Sequence, residues 1–218
     1  MKRRSALKNM GMVFGYAVAT PTILSLAQSC KEKAPYAEWM PSYFEKDKGY
    51  AIAQMIDVIL PKTDTPSATE VNVHVFIDEF VKSVLPEEQQ AFLGMAMDKF
   101  MDKVLGGAEK ESLADVEAID FEPLLAKYLK KQSDEEEEAQ NEAIGAYMEA
   151  MMKGETAEID EEVACFSFAT GLRDMATWGY KSSEYVGEEV LAYLPVPGEY
   201  IACGDVNDLS EGKAWSLN

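Results

Sequence analysis

One histidine and three cysteines in 218 residues are too few soft ligands for a protein-only zinc site of the usual His/Cys kind. Positive charge is as scarce: 20 Lys and Arg stand against 39 Asp and Glu, a net charge of −19 with a pI near 4.4. A surface of that sign repels phosphate backbones, which excludes nucleic acid as a partner class. Also missing are a strand-led G-x-G-x-x-G, a Walker loop, a C-x-x-C-H haem attachment and a G-x-S-x-G elbow. His74 is the sole candidate base, no motif sets a Ser or Cys beside it, and a lone His at a helix start reads as structural. With so many carboxylates any two could be imagined as a glycosidase dyad, so such a pair carries no specificity.

What is present is ordinary globular material, 47% hydrophobic, 10% aromatic and 27% charged, in a length that suits one domain. A chain of this size buries about 70% of its unfolded surface and needs neither disulfide nor metal to fold. The charge is uneven. Residues 1–29 hold Lys2, Arg3, Arg4 and Lys8 and no acid, which leaves 16 basic against 39 acidic residues, or −23, on residues 30–218. A basic end followed by an uncharged stretch from Asn9 to Cys30 reads as an export signal. A membrane anchor is disfavoured by Pro21, Gly11, Gly15 and several hydroxyls, which make the stretch only mildly apolar.

Arg3 and Arg4, followed by Leu7 and Lys8, resemble the twin-arginine signal, whose translocase carries folded cargo. Leu26-Ala27-Gln28-Ser29-Cys30 resembles a relaxed lipobox, which would make Cys30 a lipidated first residue anchored to the membrane. In that oxidising setting Cys165 and Cys203 could bridge, stay free, or bond to a partner chain.

Beyond the leader the pattern is helical. Ser42 can cap a helix towards Leu60, with Ile52, Met55, Ile56 and Ile59 on one stripe. Further helices are expected over residues 73–85, from Pro86 to Gly106-Gly107, and near 112–118. Asp120 is read as the cap of the next segment, and the Asp134–Glu138 run opens another. That acidic run lacks the spacing of a calcium loop and reads as a solvated first turn facing the helix dipole. The last long helix spans about Asp160 to Tyr180, with Cys165, Phe168, Leu172 and Met175 on one stripe. Twelve methionines read mainly as core filler, with an adaptable binding surface as the minority reading. The expected fold is all-α: a single irregular bundle of about six helices with an extended Pro/Gly-rich C-terminal tail. Its parts are a signal (1–29), a tether (30–41) and a helical domain (42–218).

Three blocks resemble a known family. Asp57-Val58-Ile59-Leu60-Pro61-Lys62-Thr63-Asp64-Thr65-Pro66 followed by Val75-Phe76-Ile77-Asp78, then Gly179-Tyr180-Lys181-Ser182-Ser183-Glu184, then Tyr193-Leu194-Pro195-Val196-Pro197-Gly198-Glu199-Tyr200 with Cys203 shortly after, are similar to motifs of the gluconate 2-dehydrogenase subunit 3 family. Departures are Ser67 and Asn72 where the family favours Gly; Asn tolerates left-handed backbone. The resemblance implies a non-catalytic helical subunit paired with a large FAD-bearing sugar or sugar-acid dehydrogenase that has no export signal of its own. The small subunit would carry the signal for both and support the partner's maturation; some members add a haem c subunit. An independent class is a stand-alone acidic lipoprotein acting as a binding module. An adjacent flavoprotein reading frame without a signal peptide separates the two. For the partner surface, the loop 62–67 and the aromatic-rich stretch 178–200 stand out, with Trp178, Tyr180 and Tyr185 as anchor candidates.

Overall fold

A computed structural model describes residues 34–194, 196, 198, 201 and 203–216. The chain divides into two units, Met1–Ala37 and Glu38–Asn218. Of the first, residues 34–37 are described, a turn closed by the Ala37 N–H donating to Ala34 O (2.9 Å). Arg3, Arg4 and Cys30 lie outside the described residues.

The second unit is all-α. Six helices of eleven or more residues follow in order: α1 (Lys46–Ile59), α2 (Val73–Ser83), α3 (Glu87–Ala108), α4 (Ala118–Tyr128), α5 (Asp134–Met152) and α6 (Glu161–Lys181). No strand occurs among the described residues. The longest helices, α3 and α6, pack together most extensively, and α1 packs on α4. Their shared core contains Ile52, Ile56, Ile77, Phe100, Phe121, Phe168 and Leu172, the apolar stripes that the sequence pattern predicts.

Helix ends follow local chemistry, with four corrections. Ser42 does not cap α1, whose N-cap is Glu45 without a side-chain bond; it is drawn instead to Asp78. Gly106 and Gly107 do not end α3. The helix runs to Ala108 and stops where Glu109 turns left-handed (φ 53°), with the Lys110 N–H closing on Leu105 O. Asp120 is not the cap of α4 but the third residue of a capping box whose N-cap is Glu117. The helix expected near 112–118 is a single 3₁₀ turn, Leu113–Asp115, capped by Ser112. By contrast, Ser133 and Glu136 form a capping box at the start of α5, and the acids behind Ser133 stay exposed as expected. Asn72 takes up left-handed backbone (φ 61°) before α2.

Described residues at both ends of the domain make defined contacts. Residues 39–41 pack on the helices: the Tyr50 hydroxyl donates to Trp39 O (3.1 Å), and the Trp39 ring meets His74 edge-on at 4.8 Å. Gly49 is required beneath them, since a Cβ there would lie 2.6 Å from Pro41 Cγ. After α6 the chain forms a π turn (Val186–Val190) and a short helix, α7 (Val206–Ser210). It then pairs Ala192 with Trp215 in an isolated parallel bridge, held by the Ala192 N–H to Ala214 O (2.8 Å) and the Ser216 N–H to Ala192 O (2.9 Å). These bonds bring residue 192 and residues 214–216 together.

Asp78 on α2 is 1% exposed and accepts three backbone N–H bonds, from Ser42 (2.6 Å), Tyr43 (3.1 Å) and Phe44 (3.1 Å). Burial pushes its carboxyl up, but these donors outweigh burial and hold it below the ordinary carboxylate range. A depressed folded-state value means stability that is present above the unfolded value of about 3.9 and is lost as pH falls through the folded one. Asp78→Asn should therefore lower the unfolding free energy at pH 7 by about 2–3 kcal/mol in urea titrations. Its stability should also change less than the wild type's as pH is lowered below about 4. Equal stability at pH 7 would show that the carboxylate is dispensable.

Candidate functional site

The motif blocks at opposite ends of the sequence meet in space. Asp57, near the end of α1, accepts the Thr69 N–H (2.9 Å) and hydroxyl (2.6 Å). The Ala68 N–H donates to Leu60 O (3.1 Å), and the Ser67 N–H donates to Glu70 Oε2 (2.9 Å). Together these fix the loop 62–67 against the helix it leaves. The Tyr180 hydroxyl of α6 then donates to Pro66 O (2.8 Å), across 114 positions of sequence. One residue earlier, Gly179 lies so close to α2 that a Cβ would sit 2.5 Å from Phe76 Cδ1. The Gly-Tyr pair is thus a docking device inside the fold: glycine admits the neighbouring ring and tyrosine ties the loop.

That geometry separates the three anchor candidates. Tyr180 is half-buried, packed on the core and hydrogen-bonded internally. Trp178 is 47% exposed and stands edge-on to both Phe76 (5.1 Å) and Phe80 (5.2 Å). Those two rings stack at 5.8 Å. Tyr185 is 53% exposed on the turn after α6. Exposed apolar side chains continue beyond it at Tyr193, Leu194, Val206 and Trp215, while Tyr200 lies outside the described residues. An exposed tryptophan held rigidly by two phenylalanines, beside further exposed aromatics, is the composition of a contact surface.

The histidine and the two described cysteines lie in different settings. His74 is 2% exposed, and burial pushes its imidazole below the ordinary value against the opposing charge of Asp57. Cys165 is buried, and that burial raises its thiol; Cys203 is exposed; both are free thiols, not paired with each other. Bridging them would require Cys165 to leave the core. Among the described residues no cluster of three or more His, Cys, Asp or Glu could hold a metal ion, and no helix is long and apolar enough to cross a membrane.

The sequence quoted Asp57 and Asp78 only as letters of a motif; their carboxylates look like any of the others until the folded chain shows which donors they meet. Residues 46–198 match the sequence model described as gluconate 2-dehydrogenase subunit 3, a span that runs from the first residue of α1 into the aromatic stretch after α6. No curated protein and no solved structure matches.

Gly179→Ala should test the close approach directly. Inserting a methyl where a ring already sits forces α2 and α6 apart, at about 1–3 kcal/mol, against about 1 kcal/mol for Tyr180→Phe, which deletes one hydrogen bond. Thermal unfolding of the two variants should show that order, and the reverse order would refute the role given to Gly179.

Proposed function

The chain belongs to the gluconate 2-dehydrogenase subunit 3 family, and from that premise we propose that it is the non-catalytic accessory subunit of an exported, FAD-dependent sugar or sugar-acid dehydrogenase. The flavin belongs to the large partner subunit, and a cytochrome c subunit is the natural electron acceptor for a complex of this kind. The small subunit supplies the address. Arg3 and Arg4 engage the twin-arginine translocase, the folded partner travels with it, and Cys30 anchors the mature chain to the membrane on the periplasmic side. Twin-arginine export suits such a pair because a flavoprotein that must fold around its cofactor has to cross already folded.

The observation that carries this reading is the family match across all six long helices, joined to the exposed aromatic patch at Trp178. In a chain whose one histidine is buried, that patch is the feature built to meet another molecule. Its rigidity suits the task. Trp178 is braced by Phe76 and Phe80, so little side-chain freedom remains to be lost on binding.

Two measurements test the reading. Replacing Arg3 and Arg4 together by Lys should strand both the chain and its flavoprotein in the cytoplasm, as read by fractionation and blotting; a partner that still reaches the periplasm refutes the escort role. Separately, Trp178→Ala should weaken association with the flavoprotein by about 2 kcal/mol or more, the scale of an interface hot spot, while far-UV circular dichroism keeps its helical signal. Undiminished binding by both Trp178→Ala and Tyr185→Ala would remove this patch from the interface.

A further inference from the structure

The helices α3, α5 and α6 enclose an open apolar groove of about 430 Å³. Phe92 and Leu93 line it from α3, Ile144, Met148 and Met152 from α5, and Met175 from α6, and no charged side chain lines it at all. Three features decide what it fits. Its α5 wall has no fully buried residue along 19 positions, and two of the groove's three methionines come from that helix, so this wall can adjust to an occupant. The helices that wall it are acidic: α3, α5 and α6 together carry fourteen carboxylates against four basic side chains, and α5 alone carries seven against none, although Asp98, Glu161 and Glu162 are paired with Lys48, Lys103 and Lys127. Finally, the groove is continuous with the aromatic patch. Phe80 lines the groove and also packs on Trp178 at 5.2 Å, and Met175 lies one turn before Trp178 on α6.

We propose that this methionine-walled groove is the docking site for an amphipathic helix of the dehydrogenase partner, apolar along one stripe and rich in Lys and Arg on its other face. The inference rests on the accessory-subunit reading and adds where the partner's helix lies and what chemistry it carries. An apolar stripe at i, i+3, i+4 and i+7 fills a channel between helices, and basic flanks suit the net acidity of the helices that wall it, which steers association and favours a basic partner. A small apolar ligand or an acyl chain would use the floor and leave the charge without a role.

Gly171 gives a clean block. It lies in the groove wall on α6, and a Cβ there would meet nothing within 4 Å. Gly171→Leu therefore places a side chain in the empty channel, and leucine is a better helix former than glycine. Met152→Glu is a second variant, at a side chain already 68% exposed. The first probe is a synthetic amphipathic peptide of roughly 18 residues, long enough for an i to i+7 stripe, with leucine on one face and lysine on the other. A twin peptide carries glutamate in place of lysine. The lysine peptide should bind the wild-type subunit saturably and less tightly as salt rises. Its affinity should fall at least about tenfold in Gly171→Leu and in Met152→Glu, with circular dichroism and melting unchanged or improved in the former; the glutamate twin should not bind.

In cells co-expressing the flavoprotein, the wild-type subunit should recover it and Gly171→Leu should not. Equal peptide binding by wild type and Gly171→Leu, equal binding of the two peptides, or full recovery of the flavoprotein by Gly171→Leu each overturns the docking site. If the wild type itself recovers no flavoprotein, the accessory reading falls and takes the identity of the partner with it; the peptide titrations alone then decide whether the groove receives a basic helix.

Discussion

Asp78 occupies the middle of α2, nearly sealed from water, with both carboxylate oxygens engaged by the backbone of residues 42–44. The Ser42 hydroxyl lies within reach of it as well (2.8 Å), shared with Glu79 (2.6 Å). An ionised carboxylate taken out of water is costly unless its lone pairs are filled, and here they are filled by the N–H groups of the segment that leads into α1. Each side solves the other's problem. The segment before α1 is fixed on α2 without a helix or strand of its own, and Phe44 is brought into the core at 8% exposure. Trp39 is carried over His74, which in turn seals the imidazole.

Asp57 repeats the device on α1, where it anchors Thr69 and with it the loop that Tyr180 reaches from α6. Two buried or half-buried acids thus tie the loops to a helical frame. The few basic residues are used differently. Lys103 and Lys127 both donate to Glu162, which also accepts the Tyr128 hydroxyl (2.9 Å). Lys103 first and Lys127 second pull Glu162 down to about 2. Lys48 is matched with Asp98 and Lys110 with Asp120. Pairing removes several of the scarce cations from the long-range field, so the net −19 of the chain is left mostly on unpaired carboxylates, those of α5 above all. At such exposure the individual pairs add little stability; their effect lies in where the uncompensated charge remains.

Much of this was legible in the sequence, and the failures have physical causes. Periodicity located all six long helices because burial of one stripe is a local signal. It failed at ends whose chemistry is set from far away. Ser42 has the composition of an N-cap, but a carboxylate 36 positions on offers it a better acceptor. Gly106-Gly107 has the composition of a stop, yet Val104 is buried against the core and the helix runs through the pair to Ala108. Residues 39–41 read as tether because their contacts, Tyr50 and His74, come later in the chain. The family-like blocks marked the right places without saying why. Only the fold shows that Gly179 and Tyr180 face inward while Trp178, their neighbour, faces out.

Two glycines eight positions apart on α6 show how one helix serves two purposes. A glycine inside a helix costs roughly 1 kcal/mol against alanine, so it persists where something offsets that loss. At Gly179 the offset is visible within the subunit: the Phe76 ring occupies the space a side chain would need. At Gly171 nothing occupies it, although the residue is half-buried in a channel walled by methionines rather than open to solvent like Gly145 on α5. The isolated chain leaves that loss without a compensating contact. A structure that closes α6 so tightly on α2 at one end and leaves an apolar channel beside the same helix two turns earlier has finished its own core. What remains unfilled is lined by small and flexible side chains suited to an apolar surface supplied from outside, and the net acidity of the helices that wall it favours a basic one.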